Sequence, residues 1–224
     1  MTTIFLDRDG VINENRPDYV KSWSEFRFLP GSLEAIAQLT RAGHRIVVCT
    51  NQAGVARGSL SAKTVDEIHR RMLTQVVDAG GRIEKIYYCP HSKDEHCVCR
   101  KPRPGMLLRA RQELNLDLTN AVFVGDSITD IRAGLAAGVQ AILVLTGLGV
   151  EQLRNHYHEA SGPFFVAMNL YHAAEGVLKG FHAHGAKELM PLPAGLPSSN
   201  RRYQEALALS PARQRLPITE ELSL

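Results

Sequence analysis

Two short stretches carry carboxylates at a spacing that suits work on phosphate. In "FLDRDGVIN", Asp7 and Asp9 stand two residues apart, just before Gly10, whose missing side chain permits a sharp turn. In "VFVGDSITDI", Asp126 follows an apolar run and Asp130 comes one helical turn later. Asp beside Gly is by itself an ordinary turn signal. Two such stretches, each at the end of its own apolar run, suggest more. Carboxylates gathered at one edge repel one another unless a hard cation sits among them. Mg²⁺ suits that place, since it prefers oxygen ligands and takes few protein contacts. Lys101 adds a positive charge. A carboxylate nucleophile, a second carboxylate, Mg²⁺ and a lysine make a set for phosphoryl transfer.

A third stretch, "CPHSKDEHCVC" at residues 89–99, holds three of the four cysteines and two of the nine histidines. A disulfide loop, a redox pair, a catalytic metal site and a structural metal clip are all readings of such a cluster. The N-terminus shows no basic segment and no signal-peptide pattern, which points to the cytoplasm. Thiols stay reduced there, and clustered cysteines more often bind metal than pair. Cys89, His91, Cys97 and Cys99 make a Cys₃His set suited to tetrahedral Zn²⁺. Four protein ligands leave no position for water, so such a zinc is structural. His96 is the rival imidazole; it abuts Cys97, which would strain joint ligation, and it is assigned to solvent. The loop runs directly into Arg100 and Lys101, so the ion is expected to fix that basic pair.

These residues need a scaffold, and the apolar pattern supplies one. Short runs rich in β-branched and aromatic residues lie at 3–7, 44–50, 83–89, 121–125 and 139–145. Between them the spacing predicts helices over 32–42, 62–78, 105–115 and 128–137, with Ser32 and Ser61 as the first two N-caps. A weak strand at 164–167 and a helix near 169–180 finish the series. Such alternation predicts an α/β fold, a Rossmann-like parallel sheet with helices on both faces. Ligands of these sheets sit beyond the carboxyl ends of the strands. The residues just past those ends are Asp7–Gly10, Thr50–Gln52, Cys89–His91 and 125–127, all chemically capable.

Composition sets the outer limits. The chain has 224 residues, 44% apolar and 22% charged, with a formal charge of +3. Those values suit a globular protein with a sizeable core, and the charge is too mild and too evenly spread for a nucleic-acid surface. No apolar run is long enough for a membrane span. Residues 1–180 are expected to form one domain. Residues 181–224 hold five of the eleven prolines and read as a Pro-rich tail, with one short helix at 201–209.

Four motifs, "DRDG" (7–10), "TNQ" (50–52), Lys101 in "CRKPRPG" and "GDSITD" (125–130), resemble in order and spacing those of the haloacid dehalogenase superfamily of phosphatases. The likeness covers about residues 3–180. It implies that Asp7 attacks phosphorus and that Asp9 serves as acid and then base, with a pKa not far from working pH. The Asp7 and Asp126 side chains and the Asp9 carbonyl would hold Mg²⁺. Thr50, Asn51 and Gln52 would meet the substrate, and Lys101 would neutralise charge. Asp130 stays open between a partner of Lys101 or the metal waters and a plain helix residue.

The gap of about 40 residues between the first two motifs is filled by one loop, one helix and one strand, so no large cap domain is expected. Loops 13–26 and 53–60 and the zinc-stapled loop must then choose the substrate. They resemble the branch that removes the C7 phosphate of a heptose 1,7-bisphosphate, in making precursors of lipopolysaccharide or S-layer glycans. Arg100 maps onto a substrate contact of that branch. Ser127 stands where a lysine is frequent, and it is taken as a substrate contact without charge. Branches that act on histidinol phosphate share the motifs and a similar cysteine loop, and a non-catalytic zinc-stapled interaction module is the remaining alternative. A monomer working on a small sugar phosphate, without nucleic acid or membrane, is expected. Cys49, His44, His69, Trp23 and Phe26 read as structural, and Arg57 is open between substrate and solvent.

Overall fold

The computed structural model describes residues 1–180 and Met190–Leu192. Six parallel strands, β1 (Thr3–Leu6), β2 (Arg45–Asn51), β3 (Lys85–Cys89), β4 (Val122–Gly125), β5 (Gln140–Val144) and β6 (Phe164–Ala167), lie in the order β3-β2-β1-β4-β5-β6. Met190–Leu192 adds an antiparallel β7 on β6. β1 pairs with β2 on one side and β4 on the other. The chain therefore crosses over in opposite directions from the centre, and a crevice opens at that switch point.

The strands are near-continuous apolar runs because both faces are covered. Alternate residues point to opposite sides. Ile4, Leu6, Ile46, Val48, Val122 and Val124 meet α1 (Ser32–Arg41), α2 (Ala62–Asp78) and α6 (Leu170–Lys179). Phe5, Val47, Cys49 and Phe123 meet α3 (Gly105–Leu114) and Ala133 of α4 (Ile128–Ala136). Leu143, Phe164 and Val166 meet α4 and α5 (Gly149–His156). This is the sheet with two helical layers that the alternation predicts.

Two local features differ from the sequence expectation. The N-cap of α1 is Gly31, at φ 76°, and Ser32 is already helical; a left-handed cap needs glycine more than it needs a hydroxyl. Ser61 does cap α2, accepting from the Thr64 amide at 3.0 Å. Helix α5 was not expected, because it is short and opens on glycine after "TGL". The helix expected over 201–209 lies outside the described residues, as does the tail apart from Met190–Leu192.

No folded insertion sits over the strand ends among the described residues. The segment after β1 is a loop with one 3-10 turn, Trp23–Glu25, stapled by the stacked rings of Trp23 and Phe26, 5.0 Å apart. The segment after β3 is the cysteine loop.

Candidate active site

The turns after β1, β2 and β4 meet where the crossovers diverge, and they bring the four motifs together. Asp7 continues β1, its amide donating to the Val124 carbonyl at 2.9 Å. Its Oδ1 accepts from the Arg8 amide at 2.7 Å and from Lys101 Nζ at 2.8 Å. Lys101 is buried, forms a second ion pair with Asp130 Oδ1 at 2.6 Å and donates to the Cys49 carbonyl at 2.9 Å. Asn51 holds the Lys101 backbone from both sides, its Oδ1 accepting at 3.2 Å and its Nδ2 donating at 3.3 Å.

Asp130 performs both roles left open in the sequence. One oxygen pairs with Lys101, and the other accepts from the Ser127 amide at 3.1 Å, closing a capping box at the start of α4. Asp126 is wedged between two glycines. A side chain on Gly10 would fall 1.9 Å from Asp126 Oδ2, and one on Gly147 would fall 2.2 Å from it. Both glycines also take positive φ. The same oxygen accepts from the Leu148 amide at 2.8 Å.

Charge shows what this group lacks. Asp7, Asp126 and Asp130 place an oxygen each within 4.8 Å of one another, and among the described residues Lys101 is the cation that pairs with them. Burial pushes Asp7 up to about 6 in spite of Lys101. Burial, then the Asp130 and Asp7 charges, pushes Asp126 well above the usual carboxylate range. On Lys101, burial favours the neutral amine, but Asp130 and Asp7 overcome it and hold the ammonium. Three buried carboxylates against one ammonium are short by about one divalent ion, and oxygen-only donors are what Mg²⁺ selects.

Asp9 is turned the other way. Its Oδ1 accepts from Asn13 Nδ2 and Arg8 NH2, both at 2.9 Å, and its Oδ2 accepts from Gln52 Nε2 and Arg8 NH2, both at 2.8 Å. Its side chain is still 22% exposed to the cleft. Burial would raise its pKa, but Arg8, Asn13 and Gln52 together hold it below the ordinary value. This corrects the expectation of a pKa near working pH for the unliganded site. Gln52 is likewise placed differently from expectation. It is 1% exposed and spans Asp9 and Thr50, so it orients the carboxylate from behind instead of meeting substrate. Arg8, which the sequence reading did not single out, is wholly buried.

The cleft has two compartments. The catalytic one, about 190 Å³, is lined by Asp7, Asp9, Thr50 and Asp126, with Arg16 and Tyr19 from the loop after β1. It shares Asn51, Lys101, Ser127, Thr129 and Leu148 with a larger compartment of about 720 Å³. That one is walled by Lys93, Arg100, Arg103 and Arg132, with Glu159 as its one acidic lining residue among those described, and is net cationic. Ser127 faces both, though its hydroxyl also caps α4 and bonds Gln152 at 3.3 Å. Arg57 is exposed and lines neither compartment.

The cysteine loop forms the wall of the larger compartment. Cys89 and Cys97 sulfurs lie 3.5 Å apart, Cys97 and Cys99 also 3.5 Å, and His91 Nδ1 lies 3.5 Å from Cys89 and 3.3 Å from Cys99. Ligands on tetrahedral Zn²⁺, at about 2.3 Å for sulfur and about 2.0 Å for nitrogen, must stand roughly 3.5–3.8 Å apart. The four side chains fit that ion, through Nδ1 of the imidazole, and His96 is exposed. Arg100 donates to the His91 carbonyl at 3.1 Å, and Arg103 to the carbonyls of His96 and Cys97. The loop and the cationic wall therefore hold each other.

Comparison with known proteins places this geometry. Residues 98–173 match the HAD-hydrolase-like family model. A D-glycero-β-D-manno-heptose-1,7-bisphosphate 7-phosphatase of Pseudomonas putida is 44% identical over 161 residues, 72% of this chain and 92% of that protein. The enzyme of the same name from Pseudomonas aeruginosa is 45% identical over 67% of this chain and 84% of its own length. The crystal structure of D,D-heptose 1,7-bisphosphate phosphatase from Bordetella bronchiseptica, complexed with magnesium and phosphate, is 40% identical. It covers 80% of this chain and 99% of its own, with a TM-score of 0.75.

Proposed function

The chain belongs to the D-glycero-β-D-manno-heptose-1,7-bisphosphate 7-phosphatase family of haloacid dehalogenase-like hydrolases, and from that membership we propose that it hydrolyses the C7 phosphate of this bisphosphate through an aspartyl-phosphate on Asp7. One observation carries the reading. A carboxylate cleft with one lysine opens directly into a second, cationic compartment, which gives each of two phosphates its own place.

The Asp7 contacts to Arg8 and Lys101 both fall on Oδ1, which leaves Oδ2 as the attacking oxygen. Oδ2 forms a bond to phosphorus as the bond to the C7 oxygen breaks, and Asp9 gives its proton to that oxygen. Asp9, now a carboxylate, takes a proton from water; the hydroxide attacks phosphorus, releasing inorganic phosphate and restoring Asp7. An incoming phosphate dianion beside Asp9 raises its proton affinity, which offsets the pull of Arg8. Lys101 keeps its charge throughout and faces the oxygens where negative charge builds. The Asp7 and Asp126 side chains and the Asp9 carbonyl would hold Mg²⁺, which when bound lets an anionic nucleophile approach an anionic phosphate. Thr50 and Asn51 would hold phosphate oxygens, and Arg100 and Ser127 would meet the C1 phosphate.

The names of the relatives favour the heptose bisphosphate, in its β form, over histidinol phosphate. The proposal includes a monomeric, cytoplasmic enzyme, in keeping with the reduced thiols that a Cys₃His site needs. No helix among the described residues is long and apolar enough to cross a membrane. Initial rates with Mg²⁺ on a panel test the reading. The β-heptose bisphosphate should exceed its α anomer, histidinol phosphate, fructose bisphosphate and a 3′-phosphorylated oligonucleotide in kcat/KM. A wide lead for histidinol phosphate or the oligonucleotide would overturn it.

A further inference from the structure

Behind Asp9 lies a buried polar chain whose far end the reaction itself does not touch. Arg8 is 0% exposed, so water reaches none of its donors. Nε and NH2 are directed at Asp9, at 3.3 and 2.9 Å from Oδ1, and NH2 is 2.8 Å from Oδ2. NH1 meets Nε2 of His69 at 3.1 Å. His69 projects from α2 and is itself buried, with its ring edge-on to Tyr88 at 5.7 Å. In the sequence His69 reads as structural, and an apolar side chain would fill its place.

We infer that His69 is a positioning residue for the acid-base step: by accepting from Arg8 it fixes the plane of the guanidinium, and so the direction in which the Asp9 carboxyl meets the leaving oxygen. This inference rests on the Asp9 role given above. The reasoning is steric and electrostatic. A guanidinium is a rigid planar fork, so an acceptor at one nitrogen sets where the other two point. Nε2 can accept only when the ring is uncharged with its hydrogen on Nδ1. Burial, and then the adjacent Arg8 charge, keeps it so. Without that acceptor, NH1 is a buried donor with no partner, and the fork turns toward another oxygen to regain one. Asn13 and Gln52 still hold Asp9, so the carboxylate remains in the cleft but misdirected. Small misplacements of a reacting group are costly in rate.

The test compares two leaving groups. p-Nitrophenolate departs without a proton, whereas a sugar oxygen needs one. His69→Met should lower kcat/KM for the heptose bisphosphate ~30-fold, a partial loss of the usual general-acid contribution. For p-nitrophenyl phosphate the loss should stay below about threefold, and KM for the sugar should move less than about twofold. His69→Gln, whose side-chain oxygen can accept from NH1, should stay within about threefold of wild type on both. In an Arg8→Met background, His69→Met should change neither rate further, because His69 acts through Arg8. Equal losses on both phosphates, no loss in His69→Met, or losses that multiply in the Arg8→Met background would each overturn the inference. Should His69→Met alone not fold, the double variant lacks both polar partners at once, and its ratio of rates set against that of Arg8→Met decides between the same two outcomes. If the wild-type enzyme prefers another alkyl phosphate, the proposed substrate fails, while the leaving-group comparison runs unchanged on the preferred one.

Discussion

Asp7 and Asp9, two residues apart, are driven in opposite directions by their surroundings. Asp7 is pushed up to about 6 by burial, against the pull of Lys101, whereas Asp9 is held low by Arg8, Asn13 and Gln52. The pattern "DRDG" names both carboxylates but says nothing of this division, because their other partners come from the loop after β1 (Asn13), the turn after β2 (Gln52) and the segment after the cysteine loop (Lys101). Arg8 had a faint signal. Counting on from Ile4 and Leu6 in steps of two reaches Arg8, on the side where α2 lies. Gln52 had none, since a polar residue past a strand end can face either substrate or a neighbour. His69 yields a test at this scale that needs no substrate. Its ring is pulled down to about 3 by burial and then by Arg8, from an unfolded value of 6.5. Below about pH 6.5 the unfolded chain takes up a proton that the fold refuses, so stability falls as pH drops, by at most ~1.4 kcal/mol per unit. Above that value the group contributes no slope. Between pH 7 and pH 5, wild type should lose ~2 kcal/mol more than His69→Gln in urea unfolding. His44, also lowered by burial, is present in both proteins and cancels. Parallel curves would show that His69 is not held neutral.

At the scale of elements, what could be read in advance was what repeats. Strands showed as apolar runs and helices as apolar faces, and the residues past β1, β2 and β4 share one cleft, while Cys89 and His91 past β3 belong to the cysteine cluster beside it. Helix α5 escaped because eight residues opening on Gly149 carry little periodic signal. It nonetheless supplies Gln152 and His156 to the larger compartment. The cysteine loop was legible as ligands but not as a wall. Only the fold shows that Arg100 and Arg103 donate to carbonyls of His91, His96 and Cys97, so that metal and cations are held by the same backbone. A side chain at Gly105 would fall 2.2 Å from the Val98 carbonyl, so α3 also starts hard against this loop. Removing zinc with a chelator should therefore lower Tm by several degrees, on the order of 2 kcal/mol or more. It should raise KM for the bisphosphate ~10-fold and change kcat little, because Lys101, although it follows the loop, is held independently by Asn51, Asp7, Asp130 and the Cys49 carbonyl. An unchanged Tm and KM after verified zinc loss would contradict this account of the loop.

For the molecule as a whole, the decisive property is that the cleft is double. The small compartment holds the carboxylates and the large one holds Lys93, Arg100, Arg103 and Arg132. On this account a monophosphate needs only the first, which gives Arg100 a test of its own. Arg100→Ala should raise KM for the heptose bisphosphate ~10-fold or more while leaving KM for p-nitrophenyl phosphate within about twofold. Equal effects on both would remove Arg100 from the distal contact. The short gaps between motifs pointed to strand ends without a folded insertion, as the described residues show, and the motifs marked Asn51, Arg100, Lys101 and Ser127; Lys93, Arg132 and α5, also in the second compartment's wall, lie outside the four motifs. The central claim is that the phosphate held by Asp7 is the one at C7. Its most direct measurement is ³¹P NMR of the heptose 1,7-bisphosphate during turnover with Mg²⁺. The account predicts loss of the C7 resonance, growth of inorganic phosphate and an intact C1 resonance; loss of the C1 resonance, with the C7 phosphate retained, would contradict it.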